Sequence, residues 1–205
     1  MSNNTHITNH YGVNFLNAQH KDLRQLKNLD DQPSIHGNKF WGSTYLLMDY
    51  LQKNPLEIGA NVLEIGCGWG LGGIFCAKTF KANVTAIDAD PSVFPYLQRH
   101  AEHNDVHIQT HSCYFNEITE ADLACFDVII GADICFWDEL ADEVLELVEK
   151  ACDADVKKIL ISDPERPPFF ELAETCMAEF YGELLPYAVD EPKRTTGAIL
   201  VIENA

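Results

Sequence analysis

At 205 residues, 46% of them hydrophobic, the chain is sized for one compact core, and a second catalytic domain is not expected. Its 32 acidic and 14 basic residues give a formal charge of −18, so the mean surface field repels phosphate backbones and draws cationic partners, which sets nucleic acid aside as a substrate. The seven cysteines are scattered, with no CxxC pair, and fit reduced thiols; with no long apolar span and no basic-then-apolar start in MSNNTHITNHYGVN, a soluble cytoplasmic protein without a membrane partner is expected.

In chain order, residues 1–38 are rich in Asn, His, Gln and Asp with weak periodicity, and read as a polar arm or cap on a domain spanning 39–205. FWGSTYLLMDYLQKNP then places apolar residues along a helical stripe that Pro55 stops. Short apolar runs alternate with helical patterns after it: strand 61–65, helix 71–80, strand 83–87, helix 91–104, strand 106–110, strand 126–132, helix 136–151, strand 158–163 and helix 167–182. Such alternation predicts an α/β fold with a parallel sheet and helices on both faces. In helix 136–151, Trp137, Leu140, Ala141, Val144, Leu147, Val148 and Ala151 share one face, and six acids line the other as a solvated surface. The last runs, 183–189 and 196–203, have no helix between them and predict an antiparallel hairpin.

The run VLEIGCGWG at 62–70 is the chemical signal. A strand ending in glycines before a helix brings bare backbone N–H groups to the carboxyl edge of the sheet, where open α/β folds bind ligands. Gly68, Gly70 and Gly73 also satisfy GxGxxG, with Asp88 placed 20 residues beyond Gly68, so a dinucleotide such as NAD is one reading. Glu64 argues for another. A carboxylate two residues before Gly66 repels a pyrophosphate but can receive an ammonium, and Asp88 can accept both hydroxyls of a ribose. S-adenosylmethionine carries a ribose, an ammonium and a sulfonium and no phosphate, so acids on both sides of the loop suit it.

VLEIGCGWG followed by VTAID resembles the first two motifs of the class I, seven-strand S-adenosylmethionine-dependent methyltransferases, over roughly residues 40–203. The resemblance implies a Rossmann-like, mostly parallel seven-stranded sheet with an antiparallel last strand. ADICFWDEL is similar to the DxxY motif of the protein lysine methyltransferases. FW before the glycine motif and SDPERPPF at 162–169 resemble the branch that modifies the electron-transfer-flavoprotein β-subunit. By that resemblance Trp41, Glu64, Gly66, Cys67, Gly68, Gly70, Asp88, Tyr114 and Ala132 contact the cofactor, S-adenosylhomocysteine being the product. Asp133 orients the acceptor amine, and Phe136 and Trp137 line its channel. The motif's tyrosine position is Phe136, so a phenol hydrogen bond is lost there. The implied acceptor is a lysine of a specific protein; a small-molecule N- or O-methyltransferase and a binding module without chemistry are the alternatives.

PPF at 167–169 is similar to the acid-Pro-Pro-aromatic signature of adenine and glutamine methyltransferases, but it follows the fifth strand, where proline opens a helix, and not the fourth. Asp163 and Arg166 read equally as acceptor-side residues or as a helix cap and a surface cation. His100, His103, His107 and His111 cross a helix end, a turn and a strand, so no metal site is expected from them. Cys67 and Cys135 have no neighbouring base in sequence and read as packing residues.

Overall fold

The computed structural model describes residues 6–27 and 40–204. Two short strands, β1 (Ile7–His10) and β2 (Val13–Leu16), pair through a two-residue turn in which Tyr11 and Gly12 both have positive φ. That geometry suits the twist of a hairpin. Helix α1 (Lys21–Lys27) follows. Periodicity is weak over this stretch because each strand has four residues and the turn uses a tyrosine, a residue that rarely adopts the left-handed region. The expected boundary at 38/39 lies outside the described residues.

Helix α2 (Ser43–Lys53) leads into β3 (Asn61–Ile65), α3 (Leu71–Phe80) and β4 (Asn83–Asp88). A single turn at Pro91–Val93 opens α4 (Phe94–Glu102), and β5 (Gln109–Ser112) follows. The chain continues with α5 (Glu120–Leu123), β6 (Val128–Ala132), α6 (Asp138–Asp153), β7 (Lys158–Asp163), α7 (Pro167–Glu179), β8 (Glu183–Val189) and β9 (Thr195–Glu203). The sheet order is β5-β4-β3-β6-β7-β9-β8. Neighbours from β5 to β7 are parallel, and β9 runs antiparallel to both β7 and β8. This is the parallel sheet that the alternating pattern predicts, closed by the antiparallel hairpin expected of the last two runs.

Period-two burial sorts the strands onto two cores. Val62, Val84, Ile130 and Leu160 face α2, α3 and α4, whereas Leu63, Ile65, Ile129 and Ile159 face α6 and α7. Val13 and Phe15 of β2 join the first core; Leu16 and Leu23 meet Trp69 and Tyr96 in a smaller cluster. Asn104 fastens the hairpin by accepting from the Asn14 N–H at 2.7 Å and donating to the Asn14 carbonyl at 2.9 Å.

Two expectations are corrected in position. The strand expected at 106–110 forms at Gln109–Ser112, because Asp105 turns through positive φ and the Val106 N–H is drawn back to the Ala101 carbonyl at 3.2 Å. The helix expected from 136 begins at Asp138, since Trp137 is still extended at φ −150°; its side chain therefore leaves the apolar stripe and is 47% exposed.

Candidate active site

Strand β3 meets its parallel neighbours β4 and β6 on opposite sides, so the chain leaves the sheet in opposite directions at the two joints and a crevice opens at their carboxyl ends. A cavity of about 370 Å³ fills it. All twelve candidate site residues line this one cavity: Trp41, Glu64, Gly66, Cys67, Gly68, Gly70, Asp88, Tyr114, Ala132, Asp133, Phe136 and Trp137.

The floor is the loop from Gly66 to Gly70. Gly66 and Gly70 have φ of +57° and +68°, and a β-carbon would strike Ile134 at the first and Leu97 at the second, so only glycine fits. Trp69 between them lies flat on Tyr96 of α4, with centroids 5.7 Å apart and planes 4° from parallel, and also stacks on buried His100. The Gly68 N–H donates to Asp88 Oδ2 and the Asp90 N–H to Asp88 Oδ1, each at 3.0 Å. These bonds aim the Asp88 carboxylate at the cavity, while burial raises its pKa against them.

Glu64 is where the structure adds most. Its carboxylate tucks under the first turn of α3, where a β-carbon on Gly72 or Gly73 would sit 2.7 Å from one of its oxygens. The two glycines in the first turn of α3 thus make room for the acid. Burial pushes the Glu64 carboxyl up to about 8, against the opposing pull of the Gly73 and Gly72 N–H groups. Oε2 is buried without a well-directed hydrogen-bond partner. An unsatisfied carboxylate oxygen in a cavity wall is a strong acceptor for a cation.

On the other wall, Asp133 sits at positive φ (60°) just after β6, buried to 4% exposure. Its backbone N–H donates to the Ser162 carbonyl at 2.9 Å, its Oδ2 accepts the Ser43 N–H at the start of α2 at 2.9 Å, and its Oδ1 accepts Arg166 Nη2 at 2.9 Å. Arg166 also donates through Nη1 to Asp163 Oδ2 at 2.6 Å, with its guanidinium 4.5 Å from the centre of the Phe136 ring and 5.8 Å from that of Trp41. Burial lifts Asp163 to about 6 even though Arg166 draws it down. Asp133 therefore belongs to a fixed acid–cation–acid group, and Phe136 offers its face to the protein's own cation. Of the two residues left open between an acceptor-side and a capping role, Arg166 precedes Pro167 at the start of α7 and is an ion-pair partner; neither it nor Asp163 lines the cavity.

The cavity also includes residues the sequence did not single out. Phe40, Thr44, Cys113 and Phe115 complete its apolar wall, and Glu139 and Glu143, one helical turn apart on α6, stand at its edge with exposed Tyr114 and Trp137. By periodicity those two glutamates belong to the solvated face of α6; their (i, i+4) spacing beside Leu140 is the sign that sequence offers. Burial raises the Cys67 thiol well above its ordinary range and the Cys135 thiol to about 12, so both are unreactive packing groups at neutral pH. Among the described residues no helix is long and apolar enough to cross a membrane.

A doubly wound sheet in this order, with a glycine loop after its first core strand and an acid ending the next, is the architecture of the Rossmann-like methyltransferases. Residues 62–154 match the family model described as a methyltransferase domain. Among curated proteins it is similar to the electron transfer flavoprotein beta subunit lysine methyltransferase of Danio rerio, 25% identical over 158 residues covering 70% of this chain and 60% of that protein. It is also similar to the calmodulin-lysine N-methyltransferase of Arabidopsis thaliana, 25% identical over 135 residues covering 62% and 44%. The chain thus spans about half the length of these relatives. Among solved structures, a methyltransferase from Pyrococcus furiosus superposes with a TM-score of 0.56 at 20% identity, covering 88% of this chain and 93% of that one. The precorrin 8w decarboxylase of Methanobacterium thermoautotrophicum gives 0.61 at 11% identity, covering 86% and 98%. These two likenesses concern the fold.

Proposed function

We propose that this protein is an S-adenosylmethionine-dependent methyltransferase whose acceptor is the side-chain amine of a lysine in a protein. The observation that carries the donor assignment is the pair of acids flanking the glycine loop: Glu64, with a buried unpartnered oxygen, and Asp88, held by two backbone N–H groups. Asp88 is suited to a ribose diol, Glu64 to the ammonium of a methionyl group, and the apolar wall of Cys113 and Phe115 to an adenine. When bound, S-adenosylmethionine supplies a methyl group made electrophilic by its sulfonium.

The chain's own residues do the rest by orientation and desolvation. An acceptor lysine with a pKa near 10.4 is neutral in only about one molecule in several thousand at pH 7, so it must lose its proton to solvent before it attacks. Asp133 is too firmly held to serve as a mobile base, and its role is to hold the amine on line through its remaining lone pairs. Trp41 and Trp137 offer the cavity indole rings that favour a cationic amine before transfer and a methylammonium after it, while Phe136, which carries Arg166 on its ring, closes the wall between them. The acids Glu139 and Glu143 at the edge favour a positively charged segment around the target lysine. The 25% likeness to two lysine methyltransferases supports this acceptor class.

Calorimetry with S-adenosylmethionine, S-adenosylhomocysteine and NAD tests the donor. Binding of the adenosyl ligands that weakens at least tenfold in Asp88→Ala is expected, and preferential binding of NAD overturns the assignment. For the acceptor, labelled donor is incubated with lysate and with purified electron-transfer-flavoprotein β-subunit. Label in protein lysines is expected; label found only in a filtrate of small metabolites points to a small-molecule enzyme instead.

A further inference from the structure

Away from the cavity, His20, Asp22 and His103 bring three metal-ligating atoms within 4.8 Å of one another. They come from opposite ends of the fold's first half. His20 and Asp22 stand at the start of α1, and His103 closes α4, 81 residues beyond Asp22. Asp22 Oδ2 lies 2.8 Å from His103 Nε2 and 3.6 Å from His20 Nδ1, and the two imidazoles meet edge to face at 4.9 Å. Around a tetrahedral zinc with bonds of about 2.0–2.1 Å, neighbouring ligand atoms are separated by about 3.3 Å, so the observed spacings straddle the required one. The two imidazole nitrogens lie within 4.8 Å of each other, and side-chain rotation would bring them to the same separation.

Two hydrogen bonds occupy this geometry, and a metal would replace both. The Asp22 backbone N–H donates to His20 Nδ1 at 3.3 Å, a long bond, and His103 Nε2–H donates to Asp22 Oδ2 at 2.8 Å, a proton that metal binding would release. His20 is 8% exposed and the other two are half-buried, which leaves a path for entry from solvent. Two imidazoles with one carboxylate form a donor set for borderline divalent transition ions, and a poor one for magnesium or calcium.

We propose that His20, Asp22 and His103 bind a divalent transition-metal ion of the zinc or cobalt type, fastening α1 to α4. The attachment has reach: α4 also carries Tyr96 and His100, on which Trp69 of the glycine loop rests, and Leu97, which packs against Gly70.

The full-length protein, stripped with a chelator, would be titrated with Zn²⁺ in a calorimeter and with Co²⁺ in a spectrophotometer. One saturable equivalent is expected, lost in both His20→Gln and His103→Gln and at least tenfold weaker in Asp22→Asn. At free Zn²⁺ near a hundred times Kd, the thermal midpoint of the wild type should rise by about 5–10 °C. X-ray absorption on the wild-type Zn²⁺ form reads the ligands directly and does not depend on any variant folding. A shell of two imidazoles with oxygen is expected. No uptake, uptake that survives either histidine substitution, or a sulfur shell from the cysteines overturns the proposal.

Discussion

Replacing Arg166 by glutamine separates two carboxylates from the one cation they share, and the cost can be worked from the geometry. The Asp133 and Asp163 side chains are 3% and 0% exposed, and Arg166 reaches them at 2.9 and 2.6 Å from a position 21% exposed. Removing one partner from a buried pair typically costs about 3–5 kcal/mol, because the other charge stays behind without compensation. The loss should depend on pH. Asp163 is raised by burial to about 6 while Arg166 pulls it down, so without Arg166 it rises further. A carboxyl whose folded pKa lies above its unfolded value favours folding when protonated, and its cost appears as pH climbs through the folded pKa. At pH 7.5 Arg166→Gln should therefore lose about 3–5 kcal/mol, and at pH 5, where Asp163 is largely neutral and needs no cation, only about 1–2 kcal/mol. Urea unfolding followed by far-ultraviolet circular dichroism at both pH values measures this. Adding Asp133→Asn to the variant should restore part of the loss, giving a coupling of about 2–3 kcal/mol at pH 7.5. A loss below about 1 kcal/mol, or one equal at both pH values, refutes the shared-cation reasoning.

Glu64 links ligand binding to protons. With its carboxyl held near 8 by burial, an ammonium beside it favours the ionised form, so S-adenosylhomocysteine should bind more tightly as pH rises from 6 to 8 and release protons, seen as a buffer-dependent enthalpy. 5′-Methylthioadenosine, which lacks the ammonium, should show neither effect. In the free protein the same burial favours neutral Glu64, so its contribution to folding stability declines as pH rises from 4.5 through about 8. Gly73→Ala should destabilise by about 1–2 kcal/mol despite alanine's better helix propensity, because its β-carbon would meet Glu64 at 2.7 Å and Val84 at 2.8 Å; a higher denaturation midpoint would contradict the packing. Asn104→Ala, which removes two hydrogen bonds to Asn14, should cost about 2–3 kcal/mol and speed amide exchange in the β1–β2 hairpin while β3 and β6 stay protected.

The parts of the site that could be read from sequence are those made by neighbours along the chain. Gly66, Gly68 and Gly70 follow a strand and open a helix, Asp88 ends the next strand, and Asp133 ends the fourth; each is placed by its own element, and all twelve residues converge because a doubly wound sheet brings those strand ends together. What stayed hidden depends on pairs distant in sequence or on side-chain direction. Arg166 meets Asp133 across 33 residues, and nothing in SDPERPPF tells a helix-starting arginine from an ion-pair partner. Sequence places Glu64 toward a ligand; that it also lies against Gly72 and Gly73 follows only once β3 and α3 are packed. Trp137 fitted the apolar stripe of α6 by periodicity, but the helix starts one residue later and the ring turns to the cavity edge. The hairpin at Tyr11 and Gly12 escaped because tyrosine is an uncommon residue for a left-handed turn.

The chain has three tryptophans, and Trp41, Trp69 and Trp137 all line the cavity. The ultraviolet emission of the whole protein is thus an optical property of this one crevice. Ligand screening needs no dye or label, since anything that enters meets an indole, and Tyr96 at 5.7 Å from Trp69 adds a built-in donor for energy transfer. The same feature cautions against following unfolding by emission alone: such a trace reports when the crevice loosens, and only a second, backbone-sensitive signal tells whether the sheet has melted with it.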